Sequence, residues 1–334
     1  MSYENQTKNQ HYISQVEQRF NSINGNGKKI YSFLLEDREN CKINLEKVKG
    51  KNIEHTLSFT DLYTYDFLDE GVRKNFEKSF SKYEERIKGS TLSFMDKLNA
   101  KNKDLIDEIF DILSLKFLNF IRNPFNIKKS LNTFGSLASY VPIDETLQDE
   151  YEKLERRDDE GISRICKTFG VSKEEYYQWM RVIFLSLMDA SGNGRTMLDD
   201  LIANFITDKS VMTAVWVYNF GEGSVDKKAC LSDRSFVDLS DGEDGSLIMA
   251  FNLTTNCFIK FALVKLDLLI ANSPEPLINI KGAREAYNLL PKQINVRLVS
   301  DFNEAEQALK NYNMNAVYQC HEKVYCSINT VYGL

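Results

Sequence analysis

The sequence predicts an α+β fold in which a helical middle packs on a mostly antiparallel, β-rich C-terminal part, with an N-terminal strand as a candidate to join that part. Three observations predict it. Apolar residues recur at spacings of three, four and seven between Val72 and Leu98, which is typical of one helix face. Ser172 is followed three residues later by Glu175, a capping box that starts a helix. From about residue 210, β-branched and aromatic runs alternate with Gly, Asp and Asn, which indicates successive antiparallel strands.

The other elements follow from local patterns. The stretch "KKIYSFLLED" (28–37) is rich in β-branched and aromatic residues and follows Gly-Asn-Gly, so it predicts the N-terminal strand. The apolar run 105–121 predicts a buried core helix that ends before Pro124. Residues 301–312 predict a late helix that precedes a last strand or hairpin.

Composition and length predict a globular protein with one large domain or two ordinary ones. The chain has 334 residues, of which 43% are hydrophobic and 27% charged. The polar first eight residues lack periodicity, so 1–8 are expected to be a disordered tail. Residues 9–334 are then expected to form a single domain, with a helical section at about 72–208 and a β-rich section at about 210–334.

Net charge and cysteine content limit the partners and the cellular compartment to be expected. The net charge of −6 disfavours a broad basic nucleic-acid surface but leaves a local basic cleft open. The six cysteines are scattered and no secretory signal precedes them, so a cytoplasmic protein without a disulfide framework is expected. The most apolar run, 105–121, contains four charged residues and is too short to span a membrane, so no membrane partner is expected. The oligomeric state is left open.

Familiar catalytic motifs are absent from the sequence. There is no P-loop, nucleophile elbow, Rossmann fingerprint or zinc-hydrolase signature. The "CHEKVYC" segment (320–326) does not have zinc-site spacing. The metal and cofactor are therefore unknown, with a divalent metal as one candidate.

Several isolated polar residues could carry chemistry, and each also has a structural explanation. His11, one of three histidines, can act as acid, base or ligand, or can simply begin the fold. Glu84 lies on the apolar helix and belongs either to a site or to an exposed salt-bridge face. Arg122 ends the buried helix, where it complements the helix dipole or meets an anionic ligand. Asp233 lies at a strand end, where it binds a metal, accepts a proton or caps a turn.

The opening "QHYISQVEQRF" resembles the bacterial domain-of-unknown-function family number 4238, whose members begin with His-Tyr-x-x-Gln followed by a Phe. Further segments are similar to segments of that family in the same order along the chain. They are "KKIYSFLLED", "FSKYEERIKGSTLSFMDKL", "SLKFLNFIRNPFNIKKSL", "ACLSDRSFV" and "FNEAEQALKNY". Two turns depart from the pattern, since Ser14 and Ser235 stand where the family has Pro, and Leu231 stands where it has Thr.

The resemblance implies a set of polar positions but no established activity. Four are expected to be catalytic and two to bind substrate. The expected catalytic residues are His11, Gln15, Glu84 and Asp233, and the expected substrate-binding residues are Arg122 and Asn303.

Together these residues suit cleavage of a phosphate ester, with His11 as acid or base, a carboxylate that orients it or holds a cation, and Arg122 on the phosphate. We therefore expect a bacterial effector or toxin with nuclease-like or phosphodiesterase-like hydrolase activity, in anti-phage defence by analogy. The alternative is a non-catalytic protein-binding module whose polar residues form a buried, saturated structural network. The expected partners are accordingly a protein or a nucleic acid held in a local cleft.

Overall fold

The computed structural model describes residues 3–68, 71–102, 104–189, 192, 194–221, 223–240, 246–267, 282, 285 and 294–334. The chain divides into two compact units. Unit 1 comprises Met1–Val16, Asn52–Met95 and Asp107–Asp200, and unit 2 comprises Glu17–Lys51, Asp96–Ile106 and Leu201–Leu334. Each unit is assembled from separate stretches of sequence, and the expectation of a single domain over 9–334 stays a prediction.

Helices occupy the middle of the chain, as predicted. The α-helices are α1 (Gln15–Phe20), α2 (Glu77–Asn99), α3 (Ile106–Arg122), α4 (Ile127–Phe134), α5 (Glu145–Lys153), α6 (Glu160–Phe169), α7 (Lys173–Ser186), α8 (Met197–Thr207) and α9 (Phe302–Gln319). The predicted capping box begins α7, since Ser172 and Glu175 each accept a hydrogen bond from the other's backbone N–H. Among the described residues, no helix combines the length and apolarity that crossing a bilayer requires.

Strands lie before and after the helical middle. They are β1 (Glu4–Asn5), β2 (Asn9–His11), β3 (Lys29–Asp37), β4 (Lys42–Leu45), β5 (Lys51–Asn52), β6 (Ser58–Thr60), β7 (Asp66–Phe67), β8 (Arg73–Lys74), β9 (Val211–Asn219), β10 (Leu231–Ser232), β11 (Val237–Asp238), β12 (Leu247–Thr254), β13 (Cys257–Lys265), β14 (Ile294–Leu298) and β15 (Lys323–Cys326). The α+β class is therefore confirmed.

Unit 1 ties its N-terminal strands to the helices. Antiparallel pairing joins β1 to β8 and β8 to β7, and a separate pair joins β2 to β6. Tyr3 is buried and its ring contacts Tyr65, Phe76 and Phe184. The expectation of a disordered tail over residues 1–8 therefore needs correction from Tyr3 onward, because an aromatic anchor and β1 hold this stretch in place.

The core of unit 1 surrounds the segment 61–65. Tyr63 and Trp179 are fully buried with their rings in contact. The hydroxyl of Tyr63 donates to the carbonyl of Arg122, and the indole of Trp179 donates to the carbonyl of Ile121. These bonds satisfy carbonyls at the C-terminal end of α3 that the helix itself leaves unpaired. The buried helix predicted at 105–121 is α3, and it ends against this segment.

Unit 2 contains two sheets. One has the order β10-β15-β3-β4, with β5 pairing β3, and the other has the order β11-β12-β13-β9-β14. The N-terminal strand β3 joins the C-terminal strand β15 in antiparallel pairing, with Phe33 opposite Val324, so the predicted addition of this strand to the C-terminal part is confirmed. The β14–β9 pairing is parallel. The buried side of α9, with Leu309 and Val317, packs in the core of this unit.

Candidate functional site

Glu84 and Arg122, two of the predicted site residues, meet in unit 1. Arg122 is fully buried, and both of its terminal nitrogens lie 3.2–3.3 Å from Oε1 of Glu84. Its Nε donates to Oδ1 of Asn119, and its guanidinium lies 4.8 Å from the centre of the Phe80 ring. A charged group of this size is stable in a protein interior only when it is paired and hydrogen-bonded, and both conditions hold here.

A third charged residue, the half-buried Glu77, completes a cluster with Arg122 and the half-buried Glu84. It lies two helical turns before Glu84 on α2, and its Oε1 is buried with no hydrogen-bond partner among the described residues. Burial, and then the negative charge of Glu84, raise the pKa of Glu77 to about 8, while Arg122 opposes that rise. The Arg122 guanidinium thus offsets the negative charge of Glu84. The second carboxyl group, that of Glu77, favours its protonated form.

His11 and Gln15 also lie together in unit 1. Nε2 of His11 is 3.3 Å from the carbonyl oxygen of Ile53, and its Nδ1 is 3.4 Å from Nε2 of Gln15. The imidazole is buried, with only 6% of the residue exposed. Next to it, the amide of Gln10 bonds to the backbone N–H of Tyr63 and to the hydroxyl of Thr64. The opening motif therefore connects β2 to the core segment 61–65.

Asp233, the fourth residue predicted to be catalytic, lies in unit 2. Its carboxylate accepts backbone N–H bonds of 2.7–2.8 Å from His321, Glu322 and Lys323. The residue is buried, and burial raises the pKa of Asp233 to about 6 although the three backbone bonds oppose that rise. This carboxylate caps the turn before β15, which is the structural role foreseen for it.

Asn303, expected to bind substrate, is exposed in the first turn of α9 in unit 2. The structure thus brings together His11 with Gln15 and Glu84 with Arg122, and it places Asp233 and Asn303 in the other unit. Three of the six residues, His11, Arg122 and Asp233, are buried and hydrogen-bonded to other groups of the protein. Convergence of all six in one cleft stays a prediction.

A polar cleft of ≈ 370 Å³ opens on unit 1 beside the opening motif. It is lined by Asn9, His55, Ser58, Phe59, Thr60 and Arg164. Strands β2 and β6 supply four of these residues, and the antiparallel register places Asn9 opposite Thr60 and His11 opposite Ser58. Residues directly opposite in an antiparallel pair share a face of the sheet, so the buried His11 neighbours a residue of the cleft wall.

Arg164 is held at the cleft by a well-defined helix. Asp159 caps the N-terminus of α6 by accepting from the backbone N–H of Ile162, and Gly170 ends the helix in the left-handed conformation at φ 64°. The guanidinium lies 5.6 Å from the centre of the Phe59 ring, which holds one face of it. Arg164 is exposed and forms no ion pair with any described residue.

His55 is fixed beside β2 by Asn9. The side-chain nitrogen of Asn9 donates to the carbonyl of Glu54 at 2.7 Å and lies 3.3 Å from Nδ1 of His55. An amide nitrogen only donates, so Nδ1 of His55 accepts and Nε2 carries the proton. The six described lining residues include no carboxylate, so Arg164 gives the cleft a positive charge.

Signals for this cleft in the amino-acid sequence are weak. His55 is one of three histidines. Arg164, which lines the same cleft, is remote from it along the chain and lies on an ordinary amphipathic helix. Among the described residues, no group of three or more His, Cys, Asp or Glu side chains is arranged to hold a metal. All six cysteines are free thiols.

Comparisons with known proteins give no relative for this chain. No protein-family model, no curated protein and no solved structure matches it. The likeness to the domain-of-unknown-function family 4238 therefore stays a prediction made from the residues quoted above.

Proposed function

We propose that this protein binds a phosphate ester in the polar cleft of unit 1, with Arg164 as the group that holds the phosphate. The observation that carries the proposal is the exposed Arg164 guanidinium, which lies over the Phe59 ring and forms no ion pair with a described residue, at a cleft whose described lining residues include no carboxylate. A planar guanidinium presents a rigid fork of donors that matches phosphate oxygens bidentately. Since Arg164 makes no hydrogen bond or ion pair with a described residue, its N–H donors are left for an anion.

The other lining groups complete a phosphate site. Ser58 and Thr60 supply hydroxyl donors from alternate positions of β6, and Nε2–H of His55 is a further donor. A volume of ≈ 370 Å³ lies at the lower end of the range for small-molecule sites, which is about 300–1,000 Å³. The Phe59 ring adds an apolar wall on which the organic part of an ester can rest.

The positions of the predicted site residues favour a protein that binds the phosphate ester without cleaving it. His11, Arg122 and Asp233 are engaged in the interior, as the structural-network alternative requires. Hydrolysis of the bound ester is a second candidate, favoured by His55 in the cleft. With Nδ1 accepting from Asn9, His55 keeps one N–H, at Nε2, which can donate a hydrogen bond to the oxygen on which negative charge develops as water displaces the leaving group. A toxin or anti-phage role stays a prediction from the sequence.

The test compares wild type with Arg164→Ala and a matched control, Arg156→Ala. Arg156 is also exposed in unit 1, forms no ion pair with any residue that the structure describes, and is not among the described residues that line the cleft. Calorimetric titration with a nucleoside monophosphate should show binding by wild type and by Arg156→Ala. Loss of one bidentate, charge-assisted contact should weaken binding by Arg164→Ala about 10–100-fold.

Two results would overturn this proposal. One is that wild type binds neither inorganic phosphate nor the nucleotide, and the other is that both arginine variants bind as wild type does. For the hydrolase candidate, a chromogenic phosphodiester and phosphomonoester are supplied to wild type and to His55→Ala. Turnover that disappears in His55→Ala while binding persists supports hydrolysis, whereas absence of turnover in wild type leaves the protein as a binder of phosphate esters.

A further inference from the structure

One edge of strand β6 in unit 1 is left without a partner strand, because among the described strands β6 pairs with β2 alone. Just outside the two strands, the backbone N–H of Tyr12 donates to the carbonyl of Leu57 at 2.9 Å. Residues of an antiparallel pair alternate between positions that exchange both backbone bonds and positions that exchange none. Counting from Tyr12 opposite Leu57, the next hydrogen-bonded pair is therefore Gln10 opposite Phe59.

The backbone N–H and C=O groups of Ser58 and Thr60 point away from β2. The N–H of Asp61 donates to the carbonyl of Lys8, which continues the alternation and leaves Ser58 and Thr60 between hydrogen-bonded pairs. None of their four backbone groups hydrogen-bonds to a residue that the structure describes. Backbone groups without a protein partner are satisfied by solvent, and Thr60 is exposed while Ser58 is partly exposed. This edge therefore offers an added strand two donors and two acceptors.

The polar cleft lies along this edge, and the edge is short. Ser58, Phe59 and Thr60 are consecutive in β6, and all three line the cleft although their side chains alternate between the two faces of the sheet. Leu57 and Asp61, both at φ 54°, interrupt the extended backbone at either end of the strand. A short edge strand is also a feature that keeps folded proteins from pairing with copies of themselves. The three-residue edge thus suits a short extended peptide better than a second copy of the chain.

Arg164 adds an anion-binding group beside this edge. Its guanidinium lies 5.6 Å from the centre of the Phe59 ring and forms no hydrogen bond or ion pair with a described residue. Two carboxylates are close along the chain, since Glu160 lies one turn before Arg164 on the same side of α6, and Glu54 precedes His55. Both are exposed, and neither is among the described residues that line the cleft. These surroundings suit one localised phosphate group and disfavour a polyanion such as a nucleic acid.

We propose that the phosphate ester bound by this protein is a phosphorylated segment of a protein partner, which pairs as an extended strand with the free edge of β6 and places its phosphate on Arg164. The inference rests on the proposed function, because the cleft and Arg164 supply the phosphate contact. Main-chain bonds to a sheet edge give affinity in such complexes, and arginine selects the phosphate. Residues directly opposite in paired strands share a face, so a phosphorylated residue opposite Phe59 has its side chain on the face where Phe59 meets Arg164.

The experiment measures fluorescence anisotropy of a labelled peptide, Gly-Thr-Val-phosphoserine-Val-Thr-Gly, whose β-branched residues favour an extended backbone. The competitors are the same peptide with serine, and N-acetylphosphoserine N-methylamide, which is the phosphorylated residue without its flanking peptide. The phosphopeptide should bind at least about ten-fold more tightly than the single residue, because backbone hydrogen bonds add to the phosphate contact. Omitting the phosphate, or Arg164→Ala, should weaken peptide binding about 10–100-fold, whereas Arg156→Ala should bind as wild type does.

Backbone methylation of the peptide tests the edge without altering the protein. In an added strand only every second residue turns its N–H toward the neighbouring strand. N-methylation at one alternating set of peptide residues should therefore weaken binding about ten-fold, and N-methylation at the other set should leave it unchanged. The phosphate contact is the same in all of these peptides, so the alternation reports the backbone pairing alone.

Two substitutions of Thr60 test the same edge from the protein side. Thr60→Val and Thr60→Pro both remove the hydroxyl, and only proline also removes the outward N–H. Neither removes a bond to β2, because Phe59 makes those bonds. Phosphopeptide binding should be about ten-fold weaker for Thr60→Pro than for Thr60→Val, while a nucleoside monophosphate should bind equally to both. Circular dichroism melts show whether each variant is folded, and the methylated peptides, which need only wild type, keep the test decisive if the proline variant is not.

The outcomes distinguish this inference from the proposed function. If the nucleoside monophosphate binds through Arg164 but the phosphopeptide binds no more tightly than the single phosphorylated residue, the inference is wrong and the proposed function stands. The same conclusion follows if methylation acts equally at every peptide position or at none, or if the peptide with serine binds as well as the phosphopeptide. If no phosphate compound binds, the proposed function fails and this inference fails with it. A single-stranded oligonucleotide that binds more tightly than the phosphopeptide, or a dimer that Thr60→Pro dissociates, would show a different occupant and overturn the inference.

Discussion

Glu77→Gln is expected to make unit 1 more stable above neutral pH and to leave it unchanged in acid. Burial raises the pKa of Glu77 from 4.5 to about 8, with Glu84 adding to the rise and Arg122 opposing it. The unfolded chain has the ordinary pKa, so the folded state binds the proton more tightly. The stability associated with that proton is fully present below about pH 4.5 and is lost as pH rises through about 8.

The size of the effect follows from the two pKa values. Each pKa unit corresponds to about 1.36 kcal/mol, so ionising Glu77 costs the folded state up to about 5 kcal/mol by pH 9. Glutamine has nearly the shape of protonated glutamic acid and never ionises. The difference in unfolding free energy between Glu77→Gln and wild type should therefore be close to zero at pH 4.5 and several kcal/mol in favour of the variant at pH 9.

Urea unfolding at pH 4.5, 7 and 9 measures that difference. A Trp216→Phe background leaves Trp179 as the remaining tryptophan, so that fluorescence follows unit 1. Glu85→Gln is the control, because Glu85 is exposed on the same helix. A stability difference that does not change with pH, or one that grows toward acid, would refute the reasoning about the buried Glu77–Glu84–Arg122 cluster.

Two further predictions concern residues whose roles the structure defines. Tyr3→Ala should destabilise unit 1 by about 3–5 kcal/mol, because it removes a buried ring that contacts three others. Alanine should be tolerated at the exposed neighbour Glu4, which serves as the control. Urea melts in which both variants match wild type would show that the N-terminal stretch is dispensable. Asp233→Ala should destabilise unit 2 by about 2–4 kcal/mol, because three backbone N–H groups lose their acceptor. The control Asp226→Ala, at an exposed site, should change the stability little. Urea melts followed by Trp216 fluorescence test this, and an unchanged midpoint for Asp233→Ala would contradict the turn-capping role.

Local sequence patterns predicted the elements whose causes are themselves local. Apolar spacing identified α2 and α3, and the Ser172–Glu175 capping box located the first residue of α7. The strand at 28–37 was predicted from its β-branched and aromatic content and corresponds to β3. These features depend on residues within one or two turns of each other, which a sequence displays directly.

Features that depend on distant contacts could not be predicted in the same way. Tyr3 stands in a polar stretch, and its anchoring role depends on Tyr65, Phe76 and Phe184. The division into two units reflects non-local pairing such as that of β3 with β15. The chemical type of a residue does not by itself distinguish a buried turn cap such as Asp233 from a reactive group.

The cleft is another feature that depends on distant contacts and could not be predicted from the sequence. His55 and Arg164 come from different elements and line the same cleft, together with residues of the β2–β6 pair. Neither residue has a neighbour in sequence that signals a site. Exposure and the absence of an ion pair at Arg164 are properties of the folded chain, so only the structure could reveal them.

The most direct test of the phosphate-binding cleft is the NMR resonance of the Arg164 Nε–H group during titration with a nucleoside monophosphate. The resonance is assigned by its disappearance in Arg164→Lys, and that of Arg156 serves as the internal reference. If Arg164 holds the phosphate, its resonance shifts and saturates with the ligand while the Arg156 resonance stays in place, because a charge-assisted hydrogen bond forms at one guanidinium only. An Arg164 resonance that does not move at ligand concentrations that saturate binding would contradict the account.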